Sequence, residues 1–280
     1  MVSIIFVNFW TSKHIKKLLE KLKNEDFEII IWNNSKDDEI FCDDVKVINS
    51  PYNIGFGPAV NRAVKLANFN YILLINPDCD FEVNVIYELY KFLSSSENAF
   101  AVSPKIISNN NKIWPSARRV KNPFLLFFGR RSILRFFNLS KKFLYLDKGD
   151  KIIEVEALVG TFLMFKKNIF LKLGGFDEKF FFYGEDLDIS LRALKNGYKL
   201  FLLNYLVVKH NVGITRRIKN SFAEFKRAKS LFLFMIKNYL IFKLLFPLLL
   251  IGFLFYSLIL MVRDLFDYKI KDIDFANHFQ

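Results

Sequence analysis

The chain has 280 residues, room for one large domain with an appendage or for two domains. It is 52% hydrophobic with 34 Phe, its mean hydropathy of +0.19 is high for a soluble protein, and its two cysteines, Cys42 and Cys79, have no metal-ligand partner at useful spacing, which excludes a zinc module and a disulfide framework. The net charge of +13 is unevenly spread: residues 105–151 hold 12 Lys and Arg against two Asp, and residues 216–243 hold eight against one Glu, so a neutral-to-acidic body carries two basic, aromatic-rich segments suited to anionic lipid headgroups or to another polyanion.

The first residues, MVSIIFV, lack a basic n-region and are too short for a signal peptide, so Val2 to Phe9 reads as a buried parallel strand. Thr11 or Ser12 caps a helix with Ile15, Leu18, Leu19 and Leu22 on one face. Phe27 to Trp32 is a second strand running into Asn33 and Asn34, and Val45 to Ile48 a third. The loop from Asn49 through Asn53, Gly55 and Gly57 enters a helix that holds Asn61, and its glycines permit close backbone approach to a ligand. Tyr71 to Ile75 is an apolar run too short for a helix and right for a buried strand. It ends abruptly in Asn76, Pro77, Asp78, Cys79 and Asp80, because Pro77 cannot donate to a ladder. Two carboxylates beyond the carboxyl end of a parallel strand stand where open α/β sheets bind ligands, and they suit a hard divalent cation. The bland alternative is a turn with solvated Asp.

Val83 to Ser94 is an amphipathic helix and Phe100 to Ser103 a short strand. From 105 to 151 periodicity is poor, and the core of the stretch mixes aromatics with Arg and Lys. An interfacial amphipathic segment and an ordinary insertion with inward-packed aromatics both fit that composition. Glu154 to Val159 and Phe162 to Phe165 resume the strand pattern around Gly160 and Thr161. A helix from Asn168 stops at Gly174 and Gly175. Glu185, Asp186 and Asp188 then open a helix that ends at Gly197. Carboxylates in a first turn complement the helix dipole, yet three in four residues exceed what a cap requires. Final strands lead to His210. Leu244 to Val262 is uncharged over nineteen residues, which predicts a transmembrane helix with the N-terminal body on the cytoplasmic side; a buried or re-entrant segment is the alternative. The alternation of strands and helices predicts a Rossmann-like α/β fold, a mostly parallel central sheet with helices on both faces, followed by a C-terminal hydrophobic membrane segment.

In order and spacing, VSIIFVNF, EIIIWNNS, NIGFGPAVNRA, YILLINPD, SPK, the Gly160 segment, GGFDEKFFFYGEDLD and the late His210 resemble the family 2 glycosyltransferases of the GT-A fold, closest to their rhamnosyltransferase-like members. The resemblance covers roughly residues 1–215. It implies a GT-A domain over 1–215, to which composition and hydropathy add a basic aromatic insertion at 105–151 and, within 216–280, a basic helix and the membrane segment, 244–262. It also implies an inverting, metal-dependent hexosyltransferase taking a nucleotide-sugar donor, with dTDP-rhamnose as the donor the subgroup points to. The acceptor would be lipid-linked or a saccharide, in polysaccharide synthesis at the cytoplasmic face of the inner cell membrane. By position, Asp186 would be the general base with Glu185 beside it. Asn33, Asn34, Asn53, Gly55, Asn61 and Asn76 would border the nucleotide-sugar, with either Trp32 or Asn33 where relatives usually carry a base-reading acid. Asp78, with Asp80 as helper and His210 close by, would hold Mg²⁺ or Mn²⁺.

The chemistry is coherent without the resemblance, since sugar transfer from a diphosphate needs the leaving group's charge neutralised and a carboxylate near the acceptor hydroxyl. Three other readings compete. A nucleic-acid-binding protein explains the charge but has no recognition motif, so nucleic acid is not expected as a partner. A non-catalytic scaffold explains the absent acids near Trp32 and at Asn76. A nucleotidyltransferase would normally show a glycine-rich phosphate loop, and Phe6 to Lys13 has no glycine.

Overall fold

Val2–Asn8 carries apolar side chains on both faces, and in the computed structural model it is an inner strand, β1, with Ile4 and Phe6 in one core and Ile5 in the other. The structure describes residues 1–36, 38, 40, 42, 45–122, 150–181, 183–211, 220–247, 250–255 and 257–259. In chain order follow α1 (Ser12–Leu22), β2 (Glu28–Asn33), β3 (Lys46–Asn49), α2 (Phe56–Leu66), β4 (Tyr71–Ile75), β5 (Cys79–Asp80), α3 (Asn84–Ser95) and β6 (Ala99–Ser108). Then come β7 (Ile113–Trp114), β8 (Ala117–Arg118), β9 (Ile152–Val155), β10 (Ala157–Leu158), β11 (Phe162–Lys166), α4 (Lys167–Lys172), α5 (Glu185–Lys195), β12 (Lys199–His210), α6 (Asn220–Asn238) and α7 (Leu240–Leu244).

The main sheet runs β3-β2-β1-β4-β11-β6-β12-β5, with helices on both faces. Ala59, Val60 and Ala63 of α2 pack on one face, while Leu18 of α1 and Ile86 and Leu89 of α3 pack on the other. β3, β2, β1 and β4 are parallel. Beyond β4 the sheet is mixed rather than mostly parallel: β11 lies antiparallel between β4 and β6, and β12 resumes the parallel direction beside β6. β9 runs antiparallel to β12 as β11 does to β4 and β6, so both strands run against the parallel set, while β10 between them pairs with β8 in a separate two-stranded ladder.

This arrangement positions the site. Sheet growth reverses direction between β1 and β4, and α/β sheets bind ligands at the carboxyl edge of such a switch point. β12 delivers His210 to that edge, and antiparallel β11 begins there, so Thr161 lies beside the end of β4.

The chain divides into two compact units, 1–181 with 185–215, and 182–184 with 216–280. In the second unit Phe234, Met235 and Phe242 are buried, and Phe232 stacks on Phe253 at 5.3 Å. The expected membrane-crossing helix at 244–262 is overturned: among the described residues no helix is long and apolar enough to cross a membrane. α7 ends at Leu244, and Leu245 turns two residues ahead of Pro247. Pro247 has no N–H for a helix ladder and crowds the preceding turn, so the apolar run is interrupted. Residues 248, 249, 256 and 260–262 of that run, and 123–149 of the basic aromatic insertion, lie outside the described residues.

Candidate active site

The end of β4 is a tight, buried corner. The Asn76 N–H donates to the Thr161 carbonyl at 2.9 Å, and the Cys79 N–H returns to the Asn76 carbonyl at 3.0 Å, leaving Asp78 at the apex. Asp78 is 3% exposed, and its carbonyl accepts the Asn211 N–H at 2.9 Å. Its Oδ1 lies 3.0 Å from His210 Nε2, yet the atoms are out of hydrogen-bonding alignment, and both Asp78 Oδ1 and His210 Nδ1 are buried without a hydrogen-bond partner. The Trp114 ring meets His210 edge-on at 5.8 Å.

Asp80 is not brought into this corner. Strand alternation turns Cys79 inward and Asp80 outward. Asp80 is exposed and pairs with Lys21 of α1 at 2.8 Å. The hydrogen bond from Lys21 holds its carboxyl below the usual carboxylate range. Burial and the neighbouring Asp78 charge push the Cys79 thiol well up, which keeps it protonated and a poor metal ligand. Among the described residues, no three His, Cys, Asp or Glu side chains converge as a metal cage. What converges is a pair, Asp78 and His210, with an orphaned carboxylate oxygen facing an imidazole nitrogen. That donor set fits a hard divalent cation that completes its shell with water and diphosphate oxygens, as Mg²⁺ commonly does.

The second half of the site is the first turn of α5, where the three carboxylates have three different surroundings. Asp188 is fully buried and bonds Arg192 at 2.8 Å; the Arg192 guanidinium also donates to the carbonyls of Leu173 and Gly175. That carboxylate braces the double-glycine turn. Asp186 is held at both oxygens, Oδ2 by the Gly160 N–H at 3.2 Å and Oδ1 by the Leu187 N–H at 2.8 Å. Glu185 is buried and its Oε2 has no partner. Burial first, and the adjacent Asp186 charge second, push the Glu185 carboxyl well above the ordinary range, favouring its neutral form. Asp186 is thus the member of the pair available as a base. Because Gly160 and Thr161 are consecutive, one corner touches both halves: Thr161 bonds Asn76, and Gly160 bonds Asp186.

The residues expected to border the nucleotide gather at the same edge, and most of their amides are engaged with the protein. Asn8, Asn33 and Asn49, in register on β1, β2 and β3, form a ladder with 2.9 Å bonds at each step. Asn33 also accepts the Ser35 N–H and donates to the Asp38 carbonyl, which fills its hydrogen-bonding capacity. Asn34 donates to the Gly55 carbonyl at 3.1 Å, and Asn53 accepts the Gly55 N–H at 2.9 Å. Asn61 clasps Phe176, taking its N–H and giving to its carbonyl, each at 2.8 Å. Gly55 stands at φ 93°, and a Cβ there would lie 2.8 Å from the Phe181 carbonyl oxygen, which accepts the Phe56 N–H. These residues build the wall that joins the start of α2 to the 176–181 turn. Trp32 at the end of β2 has a buried indole N–H without a partner. One acid near this edge escaped sequence reasoning. Asp38 caps α1 at Ser12 and reaches Asn8; burial raises its carboxyl, but hydrogen bonds from Ser12, Asn8 and Thr11 outweigh that and hold it below its usual range. Its only signal was a place five residues beyond the strand end.

Residues 3–174 match the family described as glycosyl transferase family 2, and residues 143–228 match one described as the N-terminal domain of galactosyltransferase. An N-acetylglucosaminyl-diphospho-decaprenol L-rhamnosyltransferase of Mycobacterium tuberculosis is 26% identical over 189 residues, covering 62% of this chain and 61% of that protein. Rhamnosyltransferase WbbL of Escherichia coli is 27% identical over 243 residues, covering 79% of this chain and 86% of that protein. The chain therefore spans about three fifths of the first relative's length. Among solved structures, a mannosyltransferase from Pyrobaculum calidifontis in complex with GDP-Man and Mn²⁺ aligns with a TM-score of 0.56 at 16% identity, covering 84% of this chain and 63% of that one, and so shares the GT-A fold. With a family match running through β1, the Asp78 corner and the Gly160 corner to the double-glycine turn, this chain belongs to glycosyl transferase family 2 and is rhamnosyltransferase-like.

Proposed function

We propose that this chain is an inverting glycosyltransferase that moves a sugar from a nucleotide-diphosphate donor to a lipid-linked or saccharide acceptor in cell-surface polysaccharide synthesis. The observation that carries the reading is the Gly160–Thr161 corner, which ties the Asp78 turn to Asp186 by backbone hydrogen bonds. Asp78 and His210 would hold Mg²⁺ or Mn²⁺, whose chemistry there is neutralisation of the leaving diphosphate's charge. Asp186 takes the proton of the acceptor hydroxyl as that oxygen bonds to the anomeric carbon and the bond from that carbon to the diphosphate oxygen breaks. With Glu185 neutral and Asp188 committed to Arg192, Asp186 is the carboxylate of this turn left for the reaction. A single carboxylate supports direct displacement with inversion rather than a covalent intermediate.

The rhamnosyltransferase relatives support dTDP-rhamnose as donor, and the diphospho-decaprenol in one relative's name supports a lipid-linked acceptor; with such an acceptor the reaction would take place at the cytoplasmic face of the cell membrane. The test is Asp186→Asn. We expect transfer from dTDP-rhamnose to be lost while calorimetric binding of the donor with Mn²⁺ persists. Wild-type turnover in that variant would remove the base assignment, and transfer by the wild-type protein excludes a non-catalytic scaffold.

A further inference from the structure

A serine inside a buried helix needs a reason, because its hydroxyl competes with the backbone for hydrogen bonds and adds nothing to an apolar core. Ser190, in the second turn of α5, is 2% exposed, between the buried Ile189 and Leu191. Its hydroxyl donates to the Asp186 carbonyl one turn back at 2.7 Å and accepts the Leu158 N–H of β10 at 3.3 Å. That second bond is one of a pair. β10 has β8 along one edge, and the Val159 N–H continues on that side to the Ser116 carbonyl at 2.9 Å. Successive N–H groups of an extended chain point to opposite sides, so those of Leu158 and Gly160 turn the other way, towards α5. There the Leu158 N–H meets Ser190 Oγ, and the Gly160 N–H meets Asp186 Oδ2 at 3.2 Å.

The two rungs fit by spacing. Two residues of extended chain advance about 6.6 Å and four residues of α-helix about 6.0 Å, so 158 and 160 on the strand stand opposite 190 and 186 on the helix. All four residues belong to the first compact unit. The Asp186 rung is made by a side chain that can turn about its own bonds. The Ser190 rung fixes the main chain on which that side chain stands, because the same hydroxyl grips the Asp186 carbonyl. We infer that Ser190 is a positioning residue for the base: its hydroxyl holds the first turn of α5 against the edge of β10, at the height where Asp186 meets the Gly160 N–H. The inference rests on the reading of Asp186 as the base. An alanine at 190 would break both bonds and remove the acceptor of the buried Leu158 N–H.

The test uses the full chain with dTDP-rhamnose, Mn²⁺ and a polyprenyl-diphospho-N-acetylglucosamine acceptor. Ser190→Ala should lower kcat by roughly 10- to 100-fold, the scale of a small misplacement of a catalytic group, and leave the donor KM within about twofold. Ile189→Val is the control, since it trims a buried methyl group from the same helix without touching the ladder. Both variants should melt below the wild type, but only Ser190→Ala should lose kcat. Ser190→Cys keeps a weak donor and acceptor at nearly the same size, so its kcat should lie between those of wild type and Ser190→Ala. If the alanine variant does not fold, the cysteine variant carries the comparison, and wild-type kcat in it would overturn the rung. Unchanged kcat in Ser190→Ala, a loss confined to donor KM, or an equal loss of kcat in Ile189→Val would overturn it as well. Asp186→Asn run alongside separates the two levels. If it is inactive while Ser190→Ala turns over normally, only the rung fails; if it turns over normally, the base assignment fails and takes the positioning role with it.

Discussion

Glu185 and Asp186 are neighbours of the same chemical type, and their roles divide by surroundings alone. Asp186 receives two backbone N–H groups, whereas Glu185 Oε2 receives nothing. For Glu185 the raised folded pKa has a defined sign in stability. As pH rises above the ordinary glutamate value, the unfolded chain gives up this proton while the folded chain keeps it, so the folded state is progressively disfavoured until its own raised pKa is passed. Glu185→Gln removes that term. The variant should melt at a higher temperature than the wild type at pH 8, with the gap narrowing towards pH 4.5, and should retain transfer activity within a few-fold. Loss of transfer as complete as in Asp186→Asn would mean that the ionised form of Glu185 is needed. At this scale residue type and position pick out Asp78 and His210, which the structure sets side by side, and Asp186, whose part as base belongs to the proposal. The sequence is silent where pairing across strands decides. Nothing local to Asn33 announces that Asn8 and Asn49 stand in register on either side of it, and nothing local to Asp80 announces Lys21 on α1.

The elements of the sheet's first half follow largely from their sequences, because a strand buried on both faces reads as a mostly apolar run and β1, β2 and β4 do. The direction of β11 did not follow. All five of its residues are buried, a pattern that serves parallel and antiparallel neighbours equally, so its pairing against β4 and β6 carries no local signal. The C-terminal apolar run failed for a related reason: hydropathy counts side chains, while a proline acts on the backbone ladder, and α7 stops before Pro247. The start of α2 shows an element boundary serving the site. Asn34, Asn53 and the Phe181 carbonyl all converge on Gly55 or Phe56. Gly55→Ala should therefore cost about 1–3 kcal/mol from the positive φ, before any clash with the Phe181 carbonyl is counted. Urea unfolding at constant m-value measures this directly, and a variant as stable as the wild type would show that the Phe181 turn gives way freely.

For the molecule as a whole, the proposed site is assembled from parts far apart in the chain, and its proposed metal half is incomplete by itself. β4 brings Asp78 and β12 brings His210, and among the described residues no third ligand of that kind joins them. A site with two protein ligands binds a divalent cation weakly until a diphosphate adds its oxygens. Cation and donor should then strengthen each other's binding by one and the same factor, since linkage is reciprocal. Titrating Mn²⁺ into the protein with and without dTDP, and dTDP with and without Mn²⁺, should give equal ratios of dissociation constants, on the order of 5- to 150-fold. His210→Ala should shrink that factor while dTDP affinity in EDTA stays at the wild-type value, because the imidazole acts on the nucleotide only through the metal. Tight Mn²⁺ binding that is indifferent to dTDP would instead require a complete protein cage. Equal weakening of dTDP by His210→Ala in EDTA and in Mn²⁺ would make His210 a direct diphosphate contact and leave Asp78 as the metal's anchor.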